Sequence, residues 1–312
     1  MRMHHPLLIA GLFLSATTVG AQQVPDTSFV PGTGTPAFAF GKGPRLVIDG
    51  AHVNFHTVDG RYAPFAKLAS RDGYRVSGSR ETFSDRMLSG VDILVIANAL
   101  NARNDNDNWV LPVPSAFTDD EIAAVKKWVN GGGALLLIAD HMPFGGAVES
   151  LAAAFGIQWM NGFAFDAKQN GIFRYTRNEG IHRHPIFDGR PGKGERVDSI
   201  VAFTGSAFLV LETSRSAPLM TVPADTRVVM PRVAWQFGDS VASIPGRRML
   251  QGAALRVGRG RLVAAGEAAM FSAQRAGPQG ATLMGFNAPI APQNAQFTLN
   301  VLHWLSGLLP AQ

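Results

Sequence analysis

Asp140 and His141 stand side by side where a buried strand hands over to a helix. The run is Gly131-Gly132-Gly133, then Ala134-Leu135-Leu136-Leu137-Ile138-Ala139, then Asp140-His141-Met142-Pro143-Phe144-Gly145-Gly146. A carboxylate orients or charges an imidazole, and an imidazole moves protons near neutral pH. This pair is the candidate catalytic centre. Seven further residues are candidate ligand contacts: Asp49, His52, Asn54 and His56 after an early strand, Asn98 after a later one, Glu267 after a late strand, and His184 before Pro185. Taken singly, each has a plain structural reading. Asp and Asn cap helices and form turns, and a lone His is more often a satisfied interior group. It is the joint placement at strand ends that argues for a site.

Three chemistries suit this set. His52, His56, Asp140 and His141 carry the nitrogen and oxygen donors of a divalent metal, but their spacing matches no sharp signature such as HExxH. The metal, and any cofactor, therefore stays open. Asp140 with His141, or Asp140 with Glu267 as a carboxylate pair, suits acid–base hydrolysis. Asp, Asn and His beside Phe55, Trp109 and Phe144 suit recognition of a polyol or sugar. The chain contains no Cys, which removes thiolate catalysis, thiolate metal sites and disulfides. No serine sits in G-x-S-x-G. Gly258-Arg259-Gly260-Arg261 precedes its strand, so it is no dinucleotide fingerprint. The long polar stretch from Asn98 to Phe117 has the character of a lid or binding loop.

The elements that must position these groups read as α/β. Residues 1–21 have the pattern of an export signal, with an apolar run from Pro6 to Ala16 and cleavage before Gln22. Residues 22–43, rich in Pro, Gly, Ser and Thr, read as a flexible leader. Strands are expected at 45–49, 74–77, 92–97, 134–139 and 261–266. Helices are expected at 62–70, 85–89, 147–155 and 294–308. One more, from the N-cap Thr118, carries a capping box closed by Glu121. Strands that are apolar without alternation, separated by helices, indicate a doubly wound, mostly parallel sheet. From about 158 to 257 the pattern turns to short strands broken by Gly and Pro, read as a β-rich insertion in a domain spanning 44–309.

Hydrophobic content of 46%, charged content of 16% and a net charge of +5 fit a folded globular chain. The reading is a periplasmic or secreted protein whose mature chain spans no membrane. Its expected partner is a small polar or carbohydrate-like ligand, and not nucleic acid. The rival reading is a non-catalytic module that holds an envelope polymer or a partner protein.

The segments Val47-Ile48-Asp49-Gly50-Ala51-His52-Val53-Asn54, 118–139, Ala139-Asp140-His141-Met142-Pro143, Gly260-Arg261-Leu262-Val263-Ala264-Ala265-Gly266-Glu267 and Asn294 with Trp304-Leu305 carry a resemblance. Together they resemble the class I glutamine amidotransferase-like superfamily, in its exported branch related to gliding-motility and intraflagellar-transport-type domains. His184-Pro185-Ile186 is similar to a motif of trehalose-utilisation-like relatives. The resemblance implies a flavodoxin-like sheet with Asp140-His141 near the elbow where glutaminase members carry their Cys. Without that Cys, glutamine hydrolysis through a thioester is excluded.

Overall fold

The computed structural model describes residues 23–30, 32, 34–165, 171–211 and 215–311. The expected export signal lies outside them. Among the described residues nine strands form the central sheet: β1 Arg45–Asp49, β2 Arg75–Ser79, β3 Ile93–Ala97, β4 Ala134–Ile138, β5 Ile157–Trp159, β6 Phe208–Val210, β7 Ser216–Thr221, β8 Leu250–Val257 and β9 Gly260–Ala265. The order is β2-β1-β3-β4-β9-β8-β6-β5, with β7 also paired to β8. The five strands β2, β1, β3, β4 and β9 are mutually parallel. This is the flavodoxin-like order, whose switch point lies between β1 and β3. Strands β3 and β4 are buried along their whole length, because helices cover both faces.

Helices α1 Ala63–Arg71 and α6 Asn294–Leu305 pack Phe65, Phe297 and Val301 against Ile48, Val95, Leu136 and Val263. On the other face the short α2 Asp85–Leu88, α3 Asp119–Asn130 and α4 Phe144–Ala153 pack Leu88, Val125, Val129 and Val148 against Val47, Leu94 and Leu135. Helix α3 has its capping box: Glu121 N donates to Thr118 Oγ1 at 3.3 Å and Thr118 N donates to Glu121 Oε2 at 2.9 Å. Helix α4 begins three residues earlier than its sequence indicates. Gly145 and Gly146 lie in its first turn. Here they let the helix press on residues 159–161, where a Cβ would meet Met160 O or the Asn161 amide at 2.7 Å.

The β-rich stretch extends the central sheet instead of folding apart from it. β8 runs antiparallel to β9, and β5, β6 and β7 follow outward. Two small sheets sit beside them, 163–165 with 227–230 and 242–245, and 173–176 with 199–202. Within this stretch the strand Arg227–Met230 is short, and the chain beyond it turns so that Trp235 takes φ +66°.

The described part of the expected leader is not a free tether. Val24 and Pro25 pair with Arg275 and Gln274. Arg61 and Lys67 donate to the carbonyls of Gln23 and Phe29, and Phe38 sits edge-on to Tyr74 at 5.3 Å. Gly/Pro-rich composition opposes regular structure, but a few aromatic and backbone anchors are enough to dock such a segment.

Candidate functional site

Parallel strands end on one edge, so Asp49, Asn98, Asp140 and Glu267 share a rim. Side-chain alternation then divides them. Val47 belongs to the α3/α4 core and Ile48 to the α1/α6 core, which turns Asp49 toward α3. Ile138 and Ala265 belong to the α1/α6 core, which turns Asp140 and Glu267 toward α1.

On the α3 side the polar groups saturate one another. His52 Nδ1 donates to Asp49 Oδ2 at 2.8 Å and Nε2 donates to Glu121 Oε1 at 2.8 Å. Asp49 also accepts from Ala51 N at 3.1 Å and Asn54 Nδ2 at 2.9 Å. Asn54 Oδ1 in turn accepts from His52 N at 3.0 Å. Burial opposes a charge on His52, but the two carboxylates outweigh it and raise the pKa above the ordinary imidazole value. Burial likewise pushes Glu121 up, and its bonds from Thr118, His52 and Phe83 overcome that and hold it below the ordinary carboxyl value. Phe83 and Phe117 pack on the imidazole at 4.6 and 4.7 Å. This network locks the loop after β1, in which Val53 holds the strained φ of +46°. Asp49, His52 and Asn54 are thus engaged with the protein itself. Glu121, legible in the sequence only as a cap residue, is their unforeseen partner.

The α1 side is different. Asn98, at φ +48°, accepts from Asp140 N at 2.9 Å through its side-chain oxygen. Asn tolerates this backbone better than other non-glycine residues. Asp140 Oδ1 accepts from His141 N at 2.9 Å. Behind it, Glu267 accepts from Ala269 N and Met270 N, both at 2.8 Å. Burial, and then the charge of Asp140, push the Glu267 carboxyl well above the ordinary range. The two carboxyl groups therefore occupy unequal environments. Tyr62, which also feels both carboxylates, donates to Ala268 O at 2.9 Å. Asn98→Ala is expected to cost about 1–3 kcal/mol, by orphaning a buried N–H in a backbone that alanine resists. Chemical denaturation of the variant beside Asn98→Gly, which relieves the backbone alone, separates the two contributions.

His141 donates from Nδ1 to Met142 O at 2.7 Å. In the neutral ring this places the lone pair on Nε2. The ring stacks on Phe163 at 4.5 Å and 9° and meets Trp235 edge-on at 4.6 Å. Trp109 and Phe144 complete the enclosure at 5.9 and 5.8 Å, and Phe55 lies beyond them. Asp140 and His141 are 8% and 6% exposed, while Trp235 and Phe237 are 50% and 44% exposed. Two loops are knitted above His141 through Leu111 N to Arg232 O and Ala234 N to Trp109 O, each at 2.9 Å. Sequence reasoning misses the aromatics at 163, 235 and 237. The available signal is the alternation of Phe163 with Phe165 and of Trp235 with Phe237.

The remaining candidates stand apart from His141. His56 is buried against Tyr62 at 4.7 Å, and its Nε2 accepts from Gln274 Nε2 at 3.0 Å. Burial, and then the charge of Arg61, lower its pKa far below the ordinary value. His184 caps the short helix α5 Pro185–Asp188, accepting from Ile186 N at 3.2 Å. It packs on Trp304 and feels Arg261, at the end of β9 opposite Glu267. Burial pushes it down to about 4. The four metal donors that the sequence offers do not converge. Among the described residues no group of three His, Asp or Glu side chains is placed to hold a metal ion. Two cavities bounded by described residues lie away from the rim. One of about 750 Å³, lined by Asp92, Trp128 and Gly132, opens at the N-terminal edge of the strands. One of about 370 Å³ lies beside His182 and Thr221. The rim is the stronger candidate, since ligands of open α/β sheets bind at strand C-termini.

The strand order and rim define a flavodoxin-like α/β fold with insertions, with Asp140-His141 at the turn that follows β4. No family model matches the chain and no curated protein matches it. Among solved structures it is similar to the mmIFT52 N-terminal domain, at 14% identity over 84% of this chain and 97% of that one, with a TM-score of 0.54. A protein described as ThuA-like from Bacteroides uniformis aligns at 12% identity over 86% and 94% of the two chains, with a TM-score of 0.45. A protein described as a component of GMP synthase from Thermoplasma acidophilum aligns at 11% over 85% and 96%, with a TM-score of 0.42. At these identities the likeness concerns the fold. Among the described residues no helix is long and apolar enough to cross a membrane.

Proposed function

We propose that this is an exported protein that binds a carbohydrate-like ligand where Asp140 and His141 meet the aromatic wall. The observation that carries the reading is the enclosure of His141 by Trp109, Phe144, Phe163 and Trp235. A sugar ring has apolar C–H faces, slightly positive, that suit the negative face of an aromatic ring. Its hydroxyls need acceptors at the edge, which Asp140 and His141 Nε2 supply. Asn98 acts as a positioning residue by holding the Asp140 backbone. Asp49, His52 and Asn54 support the rim from behind.

A second reading, hydrolysis without a Cys, is favoured by the unequal carboxyl environments of Asp140 and Glu267. In that version His141 Nε2 accepts the proton of the attacking water. The rival of a non-catalytic surface module draws on the exposure of Trp235 and Phe237.

Intrinsic tryptophan fluorescence titrated with an oligosaccharide panel, followed by mass spectrometry of the mixtures, tests these readings. Trp235→Ala is expected to weaken binding about tenfold while leaving the melting temperature nearly unchanged, because the ring is half exposed. Failure of the whole panel to bind would count against the reading. N-terminal sequencing of protein recovered from the expressing cell's envelope checks export, with a mature terminus expected at Gln22.

A further inference from the structure

Arg61, in the turn before α1, is a partly buried cation without a carboxylate in ion-pair range among the described residues. Its Nε donates to Gln23 O at 2.9 Å and its Nη1 to Phe55 O at 3.1 Å. Its Cζ lies 3.6 Å from the centre of the Phe55 ring. Nη2 has no hydrogen-bond partner among the described residues. Asp107, on the loop above, acts on Arg61 electrostatically from beyond contact. Elsewhere Arg177, Arg190, Arg196 and Arg275 each meet a carboxylate.

Arg261 is the informative contrast. It too lacks a carboxylate in ion-pair range among the described residues, but it donates to the carbonyls of Trp304 and Leu309 at and beyond the C-terminal end of α6. A helix C-terminus suits a cation there. Arg61 serves no such terminus. It lies on Phe55, whose ring meets Trp109 at 5.6 Å, and Trp109 meets His141 at 5.9 Å. Burial strips part of the water from this guanidinium, and an anion offering oxygens to its accessible Nη2 offsets that cost.

We infer that Arg61 makes the rim selective for polyols bearing an oxyanion: a sugar acid, or a sulfated or phosphorylated sugar. This rests on the reading of the rim as a carbohydrate site. The aromatic wall takes the ring of the ligand, Asp140 and His141 take hydroxyls, and Arg61 takes the negative group.

The test is titration calorimetry with matched ligands: a neutral oligosaccharide, its uronic-acid form, its sulfate ester and its phosphate ester. Wild type, Arg61→Gln and Arg61→Lys are compared at two salt concentrations. Wild type is expected to bind at least one acidic form about tenfold or more tighter than the neutral one. The preferred ester or acid identifies the source of the charge. In Arg61→Gln the ratio of acidic to neutral affinity is expected to fall to near one. Arg61→Lys is expected between them, because an ammonium lacks the planar fork, and it carries the test if the glutamine variant does not fold. A wild-type ratio near one, with neutral sugar bound, overturns the role of Arg61 and leaves the site standing. So does a ratio that survives both substitutions. Binding of none of the four overturns both.

Discussion

His141→Ala is expected to weaken ligand binding by about tenfold to a hundredfold, the loss of one well-placed polar contact at the centre of an aromatic enclosure. The imidazole has two jobs. Its Nδ1–H is committed to Met142 O, which leaves Nε2 to accept from the ligand. Its ring is one wall of the stack that includes Phe163 and Trp235. Alanine removes both. His141→Gln keeps a polar end and is expected to lose less. Fluorescence titration gives the affinities, and thermal melting confirms that each variant is folded. If the chain turns its ligand over, the alanine variant is expected to lose about 10²–10⁴ in rate, the usual worth of a placed base. Equal affinity in His141→Ala and wild type would remove His141 from the site, and the proposed function with it.

His52→Ala is expected to be more destabilising than any of the other substitutions, at about 3–5 kcal/mol. It leaves Asp49 and Glu121 buried with no cation between them. For a chain of this length that corresponds to a fall in melting temperature of about 5–8 °C. The pH dependence gives the same network a second signature. Folding raises the His52 pKa, so its contribution is complete below the unfolded value of about 6.5. It is lost as pH rises through the higher folded value. Folding lowers Glu121, so its contribution is present above about 4.3 and lost as pH falls through the lower folded value. The difference in stability between wild type and His52→Ala is therefore expected to be largest between the two unfolded values, from about pH 4.3 to about 6.5. It should shrink toward alkaline pH. Melting curves from pH 5 to 9 read this directly, and a difference that grows with rising pH would contradict the ion network.

Much of this protein is legible from local pattern. The apolar strands β1, β3, β4 and β9, the capping box at Thr118 and Glu121, and the parallel order all follow from periodicity and short-range chemistry. So does the gathering of Asp49, Asn98, Asp140 and Glu267 on one edge, because parallel strands share an end. The missing Cys excludes a whole class of reaction without any structure. What the pattern leaves open is which groups remain available. Strands buried on both faces do not alternate, so they hide which core each side chain meets. That hides the division of Asp49 from Asp140.

The partners that decide availability also come from far along the chain. Glu121 reaches His52 across 69 positions and consumes its second nitrogen. Gln274 comes from 218 positions away to face His56. Trp235 and Phe163 enclose His141 from an insertion that reads only as broken strands. Residue type and spacing thus determined the scaffold and the list of reactive groups. Tertiary packing alone decided which of them are satisfied by the protein and which face outward, because hydrogen-bond partners are assigned by position in space and not by distance in sequence.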